Sequence, residues 1–368
     1  MKLIYKHINT TFSISTKDIS DLSFKTKVDK ALLNEFRGFI PEKNELSGGL
    51  FFYFTDNISS FINNDDYYKS DYVNVGEDNI HYNDSEINML VLLNEPFKFI
   101  IELNNHESLG SSLRVFHRGF KNKLERDISI FYYRIFLLFT QIWNIENGYT
   151  YIHSACVSQN NIGTIFSADS GVGKSSLLFK LSQNSNFSFI GDDLSIINKD
   201  ACASFLGRLI SLKPYHLSYF PFLKDIVSSK MPVLQKLQWR FLKRSKLLFR
   251  INPHDLFDNY IDNIKIKSFI HMSNHTKSSF EIKTISSDEL LNISLAIFNN
   301  EFLLSFNRLN NIASLPGSSF LSSSQIMYNV KNIYSQAFTN IDRKLVLAPY
   351  HSNPNELYDF LIQKGCLN

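Results

Sequence analysis

The chain has 368 residues, with 38 Lys or Arg against 35 Asp or Glu, so its net charge at pH 7 is only +3. This length can bury one large hydrophobic core or two smaller ones, and so small a charge gives no reason to expect a nucleic-acid partner. The three cysteines, Cys156, Cys202 and Cys366, are odd in number and lack C-x-x-C spacing. That pattern argues against a disulfide framework or a zinc site and is typical of a reducing compartment.

The sequence also predicts where the protein works. Its first residues do not form a signal peptide, and no apolar run approaches the ~20 residues that a membrane-spanning helix needs. We therefore expect a cytoplasmic protein that has neither a membrane nor a nucleic acid as its partner.

The first 125 residues are predicted to form a separate β-rich module. Short apolar runs at residues 49–54, 89–93 and 97–103 alternate with turns rich in Asn, Asp and Ser. Residues 63–68 have the composition of a polar loop and not of a metal site. Two roles stay open for this module: packing or dimerisation, with a homo-oligomer as a possible result, and recognition of a substrate.

A buried helix is predicted to lead from this module into a second domain, residues 126–368. Residues 131–143 are largely apolar, and Gly148 stands just past them as a stop signal. A β-strand over 151–157 and a second strand over 163–168 follow, with a turn between them. His153 lies on the first strand, where a lone histidine most often has a packing role.

The segment from Ala168 to Ser175 is a phosphate-binding loop with one departure from the pattern G-x-x-x-x-G-K-[ST], because Ala168 replaces the first glycine. Gly171 and Gly173 can adopt positive φ, so successive backbone N–H groups can point at a polyphosphate. Lys174 supplies a cation for the outer phosphates, and the Ser175 hydroxyl can bind Mg²⁺. The helix predicted from Ser175 onward adds the positive end of its dipole. The predicted nucleotide contacts are Ser170, Gly171, Val172, Gly173, Lys174, Ser175 and Ser176.

Two adjacent carboxylates end the next apolar strand. Asp192 and Asp193 follow Lys174 by 18 and 19 residues. An Asp-Asp pair after a strand is by itself most often a turn, but beside a triphosphate one carboxylate can hold Mg²⁺ while the other accepts the proton of an attacking hydroxyl. Adjacent negative charges also raise each other's pKa. We favour Ser175 and Asp192 as the Mg²⁺ ligands and Asp193 as the base, but no spacing argument separates the two carboxylates and their roles stay open.

These segments resemble the HPr kinase/phosphorylase family. That family combines an I-H-x-x-x-V strand, a loop of the form G-x-S-G-x-G-K-S and an apolar strand that ends in Asp-Asp, and matching segments lie within residues 149–197 of this chain. The resemblance implies an α/β kinase core like that of phosphoenolpyruvate carboxykinase, with ATP and Mg²⁺ as cofactors and a serine-type hydroxyl as acceptor. It also implies that His153 lies near the phosphates, so the catalytic residues are expected to be His153, Lys174, Asp192 and Asp193.

The chain departs from the family pattern after the Asp pair. Leu194 and Ser195 stand where many members have an arginine, and no copy of the glutamate-containing motif of the bifunctional enzymes follows. Residues 207–214 instead resemble an Arg…Leu-Lys stretch of stand-alone HPr-kinase-like proteins, which occur in biosynthetic gene clusters that include clusters for modified peptides. Phosphorylation of HPr itself is therefore not implied.

Residues 215–260 are predicted to be an insertion that contains a basic helix. Its cationic residues, which alternate with apolar ones, are Lys236, Arg240, Lys243, Arg244, Lys246 and Arg250. Such a helix is most often a solvated face; a docking surface for an acidic peptide and a cationic lid over the transferring phosphate are the alternatives. Strands are predicted at 264–270 and 279–282, and helices at 287–297 and 354–363.

Taken together, these features predict an α/β protein with an HPr-kinase-like P-loop core of mixed β-sheet and flanking helices, preceded by the smaller β-rich module. We expect an ATP- and Mg²⁺-dependent kinase that phosphorylates a hydroxyl of a peptide, a protein or a small molecule. Two other classes stay open: a nucleotide-dependent regulatory ATPase without a phosphorylated product, and a module whose altered loop no longer binds nucleotide.

Overall fold

The protein has a mixed α/β structure, which confirms the predicted fold class. A computed structural model describes residues 1–46, 48–62, 66–93, 98–103, 115–116, 120–169, 171–242, 247–316, 320–350 and 352–367. The chain divides into two compact units. The first comprises Met1–Asn147 and Phe302–Tyr328, and the second comprises Gly148–Glu301 and Asn329–Asn368.

The first unit is built on an eight-stranded sheet with the order β1-β2-β3-β8-β7-β6-β5-β4. Its strands are β1 (Lys2–His7), β2 (Thr10–Asp18), β3 (Leu50–Thr55), β4 (Asp66–Lys69), β5 (Val73–Gly76), β6 (Asn79–Asn83), β7 (Asn88–Leu92) and β8 (Lys98–Glu102). β3 pairs in parallel with β2 and with β8, while the other neighbours are antiparallel. Residues 66–68, predicted as part of a polar loop, belong to β4, which corrects that prediction. Residues 63–65 of the same predicted loop and residue 97 lie outside the described residues.

Helix α1 (Leu22–Glu35) lies between β2 and β3 in the chain and is not among the elements predicted from the sequence. Its side chains Phe24, Val28 and Leu32 are buried at a spacing of one helical turn each. The carboxylate of Asp21 accepts hydrogen bonds from the amides of Ser23 and Phe24, so the helix begins with an N-cap.

Helix α2 (Lys123–Glu146) begins earlier than the predicted 131–143 and has a π-helical middle turn, Phe131–Phe136. By length and composition α2 could cross a membrane, contrary to the expectation that no segment would reach that length, but 78% of its most apolar window is buried inside the protein. Ring contacts join it to the sheet, with centroid distances of 4.8 Å for Phe131 with Phe54 and 4.2 Å for Phe139 with Phe99. It is the core helix of the first unit, which therefore extends to Asn147, beyond the boundary placed near residue 125.

The second unit contains a nine-stranded sheet, in which β12-β10-β11-β17-β14-β13-β9 is the main order and β19 pairs with both β17 and β18. Its strands are β9 (Tyr149–Ile152), β10 (Ser154–Gln159), β11 (Ile162–Ala168), β12 (Phe187–Gly191), β13 (Ser195–Asn198), β14 (Cys202–Ser204), β17 (Asn263–His275), β18 (Glu281–Thr284) and β19 (Asp342–Pro349). A separate two-stranded sheet joins β15 (Ile210–Leu212) to β16 (Phe249–Ile251). Because β11, β17 and β19 run parallel, their carboxyl ends lie at one edge of the sheet.

The strand predicted over 151–157 is interrupted at His153, and this corrects the prediction. β9 pairs with β13, whereas β10 pairs with β11 and β12, so the chain changes neighbours within one residue. A continuous apolar run cannot reveal such a change, since both halves are equally buried. The predicted turn before β11 is present, with positive φ at Asn160 and Asn161.

The insertion differs from the predicted long basic helix. Three helices, α4 (His216–Tyr219), α5 (Leu223–Lys230) and α6 (Val233–Leu242), precede β16. Phe249 and Arg250 therefore lie on a strand, whose partner is β15, and not on the helix that carries Lys236 and Arg240. Lys243, Arg244 and Lys246 lie outside the described residues.

The remaining helices are α3 (Lys174–Leu181), α7 (Ser287–Ala313), α8 (Ser323–Ala337) and α9 (Pro354–Gln363). α9 matches its prediction and begins with a capping box formed by Asn353 and Glu356. α7 is much longer than the predicted 287–297, and the division between the units falls within it, after Glu301.

Candidate active site

The predicted phosphate loop connects the carboxyl end of β11 to the start of α3. Gly171 and Gly173 have φ values of 93° and 118°, which side-chain-bearing residues rarely adopt. Ala168, in the place of the missing first glycine, is the last residue of β11 and does not have positive φ. Alanine therefore introduces no backbone strain there. Ser170 lies outside the described residues.

Lys174, the first residue of α3, has a buried side chain that turns back onto the loop. Its ammonium donates to the carbonyl of Ala168 and, at 3.4 Å, to that of Asp169. Burial lowers the pKa of this ammonium, and the nearby carboxylates of Asp193 and Asp192 act in the opposite direction. The loop thus holds a buried ammonium whose hydrogen-bond acceptors within it are two uncharged backbone carbonyls.

Ser175 and Asp192, the two predicted metal ligands, lie next to each other. The Ser175 hydroxyl donates to the Asp192 carboxylate, with Oγ 3.2 Å from Oδ1, and Oδ2 accepts from the Ser211 amide at 3.3 Å. Asp192 is fully buried. Burial and the adjacent charge of Asp193 raise the pKa of Asp192 to about 6.

The donor set of Ser175 and Asp192 fits Mg²⁺ bound together with a nucleotide. Hydroxyl and carboxylate oxygens are hard ligands, and Mg²⁺ usually keeps waters and substrate phosphates in most of its coordination positions. Among the described residues, no group of three or more His, Cys, Asp and Glu side chains is gathered for a metal.

Asp193 faces a different environment from its neighbour. Its backbone has φ of 67°, and its carboxylate lies 2.5 Å from the Arg208 guanidinium, with 35% of the side chain exposed. Burial alone would raise the pKa of Asp193, but the positive charge of Arg208 holds it below the ordinary value. Asp193 is consequently ionised at neutral pH and open to solvent.

His153 stands between two carboxylates. Its Nδ1 is 3.6 Å from Oδ1 of Asp193 and 3.6 Å from Oε1 of Glu301, and this buried nitrogen has no hydrogen-bond partner among the residues that the structure describes. Burial, together with the charge of Lys174, lowers the pKa of His153 to about 4, so the imidazole is neutral at physiological pH. The amide of Ser154 donates to the carbonyl of Asp193 at 3.2 Å, which ties this segment to the carboxylate pair.

Two functional candidates were not among the predicted site residues. Arg208 lies in the stretch noted for its resemblance to stand-alone kinase-like proteins, and it supplies the cation that the residues directly after the Asp pair lack. Glu301 lies on α7, beyond the predicted end of that helix. No local pattern in the sequence marks Glu301 as a partner of His153, because the contact spans much of the second unit.

The other predicted residues have clear positions. Val172 and Gly173 are half-buried in the loop, and Ser176 is buried in the first turn of α3. Of the basic insertion, Lys236 donates to the Ser228 carbonyl at 2.7 Å, and Arg250 pairs across β15 and β16 with Ser211. The docking and lid interpretations of the insertion stay predictions.

No protein-family model matches the chain, and no curated protein matches it. Among solved structures, the HPr(Ser) kinase/phosphatase from Coxiella burnetii is similar to it over 59% of this chain and 95% of that chain, with 11% identity and a TM-score of 0.26. A TM-score this low carries no argument about function. The proposed function therefore rests on the motifs and on the geometry of the site.

Proposed function

We propose that the second unit is an ATP- and Mg²⁺-dependent kinase that transfers the γ-phosphoryl group to a hydroxyl of a peptide, a protein or a small molecule. The observation that carries the proposal is the Ser175 hydroxyl, in the first turn after a glycine loop, 3.2 Å from a carboxylate oxygen of Asp192. P-loop enzymes hold the metal of their nucleotide with this pair of groups, a hydroxyl at the start of the helix and a nearby aspartate.

The loop and α3 supply the binding groups for the phosphates. The first amides of a helix have no partner within the helix, and the helix dipole favours negative charge at this end. An ionised phosphate oxygen is a stronger partner for an ammonium than a neutral carbonyl. We therefore expect the Lys174 ammonium to leave the carbonyls of Ala168 and Asp169 for the outer phosphates when ATP binds.

Asp193 has the properties of the base for the acceptor hydroxyl. It is ionised because of Arg208, and it is exposed enough for a substrate to reach it. The acceptor oxygen bonds to the γ-phosphorus as its proton passes to Asp193, and the bond from the γ-phosphorus to the β–γ bridging oxygen breaks to leave ADP. Mg²⁺ held by Ser175 and Asp192 would neutralise negative charge on the phosphates of the nucleotide.

Arg208 and His153 position this base. The guanidinium contact fixes the side chain of Asp193, while the neutral imidazole of His153 stands between Asp193 and Glu301. Because the pKa of His153 is about 4, its imidazole is neutral at physiological pH and does not add a second positive charge to that of Arg208 beside Asp193.

The decisive experiment is to incubate the protein with γ-labelled ATP, Mg²⁺ and a cell extract, and to locate the label by mass spectrometry. We expect a labelled acceptor with wild-type protein and almost none with Lys174→Ala, which removes the cation for the outer phosphates. Release of free phosphate alone would favour the regulatory ATPase. Absence of nucleotide binding would favour a loop that has lost its ligand.

We also propose that the protein acts in the cytoplasm. Its three cysteines, Cys156, Cys202 and Cys366, are all free thiols, which is typical of a reducing compartment. The acceptor is proposed to be a hydroxyl-bearing peptide, protein or small molecule, and the stand-alone kinase-like proteins that residues 207–214 resemble suggest a peptide-modification pathway. Homo-oligomer formation stays a prediction.

A further inference from the structure

Two partly exposed carboxylates flank a buried nitrogen in the candidate active site. The side chains of Asp193 and Glu301 are 35% and 46% exposed, and an oxygen of each lies 3.6 Å from Nδ1 of His153. The His153 side chain is only 7% exposed, and its Nδ1 has no hydrogen-bond partner within the described part of the chain. The phosphoryl transfer proposed for this site gives Glu301 no role.

The two oxygens of Asp193 have different neighbours. Oδ2 is the oxygen in contact with the Arg208 guanidinium, whereas Oδ1 is the oxygen nearest to His153. Oδ1 is therefore the better placed of the two to accept the proton of an acceptor hydroxyl. Because Oδ1 and Oε1 of Glu301 are both 3.6 Å from one nitrogen, they lie no more than twice that distance apart. One small acceptor group can consequently reach both carboxylates at once.

The carboxylate of Glu301 lacks a positively charged partner. Among the residues that the structure describes, no lysine or arginine nitrogen lies within 4 Å of it. Its neighbour His153 has a pKa of about 4 and is neutral at physiological pH. Burial and the nearby charge of Asp193 raise the pKa of Glu301. A cation bound between the two carboxylates would offset both effects.

We propose that the acceptor is a vicinal amino alcohol in its ammonium form, an inference that rests on the proposed kinase function. The hydroxyl donates to Oδ1 of Asp193, and the ammonium on the neighbouring carbon donates to Oε1 of Glu301 and to Nδ1 of His153. An ammonium carries only donors, and a neutral imidazole with its proton on Nε2 offers Nδ1 as an acceptor. The ammonium keeps its protons while the hydroxyl is phosphorylated. Two sources share this chemistry: a free amino alcohol such as serine, and a peptide that begins with serine or threonine.

The test removes the ammonium chemically, so the acceptor need not be known beforehand. Half of a cell extract is treated with an amine-acetylating reagent and then with hydroxylamine, which frees any acetylated hydroxyl, and the other half is mock-treated. Each half is incubated with γ-labelled ATP and Mg²⁺, with and without the protein. We expect the product that depends on the protein to be nearly lost from the acetylated half. Equal labelling of the two halves overturns the proposal.

Mass spectrometry of the labelled product supplies a second readout. Phosphate on a hydroxyl whose neighbouring carbon carries a free amine supports the proposal, and phosphate on any other hydroxyl overturns it. The size of the product distinguishes a free amino alcohol from the first residue of a peptide.

The variant Glu301→Gln keeps the shape of the side chain and removes its charge. With the acceptor identified in this way, kcat/KM should fall by roughly 10- to 100-fold, as expected for loss of a hydrogen bond between charged groups. With the N-acetylated form of the same acceptor, the variant and the wild type should be equally slow. Equal losses on both acceptors would mean that Glu301 acts only through His153 and Asp193, and this overturns the proposal.

The matched control is Glu289→Gln, the same change at an exposed position in the first turn of the same helix. It should phosphorylate the acceptor as wild type does, and a loss as large as that of Glu301→Gln overturns the proposal. Thermal melting checks that both variants are folded.

The outcomes also separate this inference from the proposed function. If wild-type protein yields no labelled product, the kinase function fails and the inference fails with it. If it yields a product that acetylation of the extract does not affect, the kinase function stands and only the amino-alcohol acceptor is lost.

Discussion

Asp192 and Asp193 are adjacent in the chain, yet their pKa values move in opposite directions. Asp192 is fully buried beside Ser175, where its pKa rises to about 6. Asp193 is partly exposed against Arg208, which holds its pKa below the ordinary value. Separated pKa values in a carboxylate pair indicate separate roles, and the contact of Asp192 with Ser175 favours the metal for Asp192 and the base for Asp193.

The first prediction concerns the pH dependence of Asp192. A metal ligand must be ionised, so at limiting Mg²⁺ the transfer rate should fall as the pH drops through about 6. Because Mg²⁺ competes with the proton, raising its concentration should move the midpoint to lower pH. Rate–pH profiles at two Mg²⁺ concentrations measure this, and Asp192→Asn should raise the Mg²⁺ requirement. A midpoint that does not change with the Mg²⁺ concentration would contradict the role of Asp192 as a metal ligand.

The second prediction concerns Asp193. Asp193→Asn keeps the shape of the side chain and removes the basic oxygen, so transfer should fall by roughly 10²–10⁴-fold while ATP still binds. Single-turnover rates and ATP titration measure the two effects. Asp169→Asn, a carboxylate change within the same loop, is the control. If Asp192→Asn and Asp193→Asn show each other's phenotypes, the roles of the two carboxylates are reversed.

At the scale of elements, the sequence predicts what is local and misses what is distant. The strand β11, the glycine loop and α3 follow one another within residues 162–181, as in a single supersecondary unit, and strand, turn and helix signals mark each of them. α9 is likewise predicted because its capping box is local. Arg208 and Glu301 reach Asp193 and His153 only after the sheet and α7 have formed, so no spacing in the sequence could identify those contacts.

Helix α1 shows a different cause of failure. Its buried positions Phe24, Val28 and Leu32 follow the helical period, but strongly β-prone segments surround it and four of its 14 residues are Lys or Asp. The β-rich composition of the module obscured a helix that its own periodicity supports. The interruption of the strand at His153, by contrast, has no local sequence signal. It arises because β9 and β10 pair with different strands.

The third prediction tests the N-cap of α1. Asp21 accepts hydrogen bonds from the Ser23 amide at 2.8 Å and from the Phe24 amide at 3.1 Å. Asp21→Ala should lower the free energy of unfolding by about 1 kcal/mol, because those amides lose their acceptor. Asp21→Ser, which retains a capping oxygen, should cost less. Denaturant titration of the three proteins measures the difference, and equal stabilities would show that the cap contributes nothing.

At the scale of the whole molecule, the division into two units follows from where α2 packs. An apolar helix between two modules can in principle belong to either, so residues 131–143 alone could not place the boundary. The ring contacts of Phe131 and Phe139 with strands of the eight-stranded sheet assign the helix to the first unit. The same assignment explains why a segment with the length of a membrane span is buried in this protein.

The buried contact between His7 and Asn144 in the first unit makes the free energy of unfolding depend on pH. The ring of His7 is buried, and its Nε2 lies 2.8 Å from the side-chain oxygen of Asn144 on α2, so the neutral imidazole donates to that oxygen. Burial lowers the pKa of His7 from 6.5 to about 4, and the hydrogen bond to Asn144 offsets only part of this effect. Between those two pH values the unfolded chain binds the proton and the folded chain does not.

The fourth prediction follows from this difference in proton binding. Stability conferred by the neutral ring is fully present above about pH 6.5 and is lost progressively as the pH falls toward 4, by about 3 kcal/mol in all for His7. His7→Gln retains an N–H donor for Asn144 but cannot titrate, so the free energy of unfolding of this variant should depend less on pH across the same window. Denaturant unfolding at a series of pH values, followed by a probe in the first unit such as the emission of Trp143, measures both slopes. Parallel slopes in the two proteins would show that His7 takes up no proton on unfolding and that the acid sensitivity arises elsewhere.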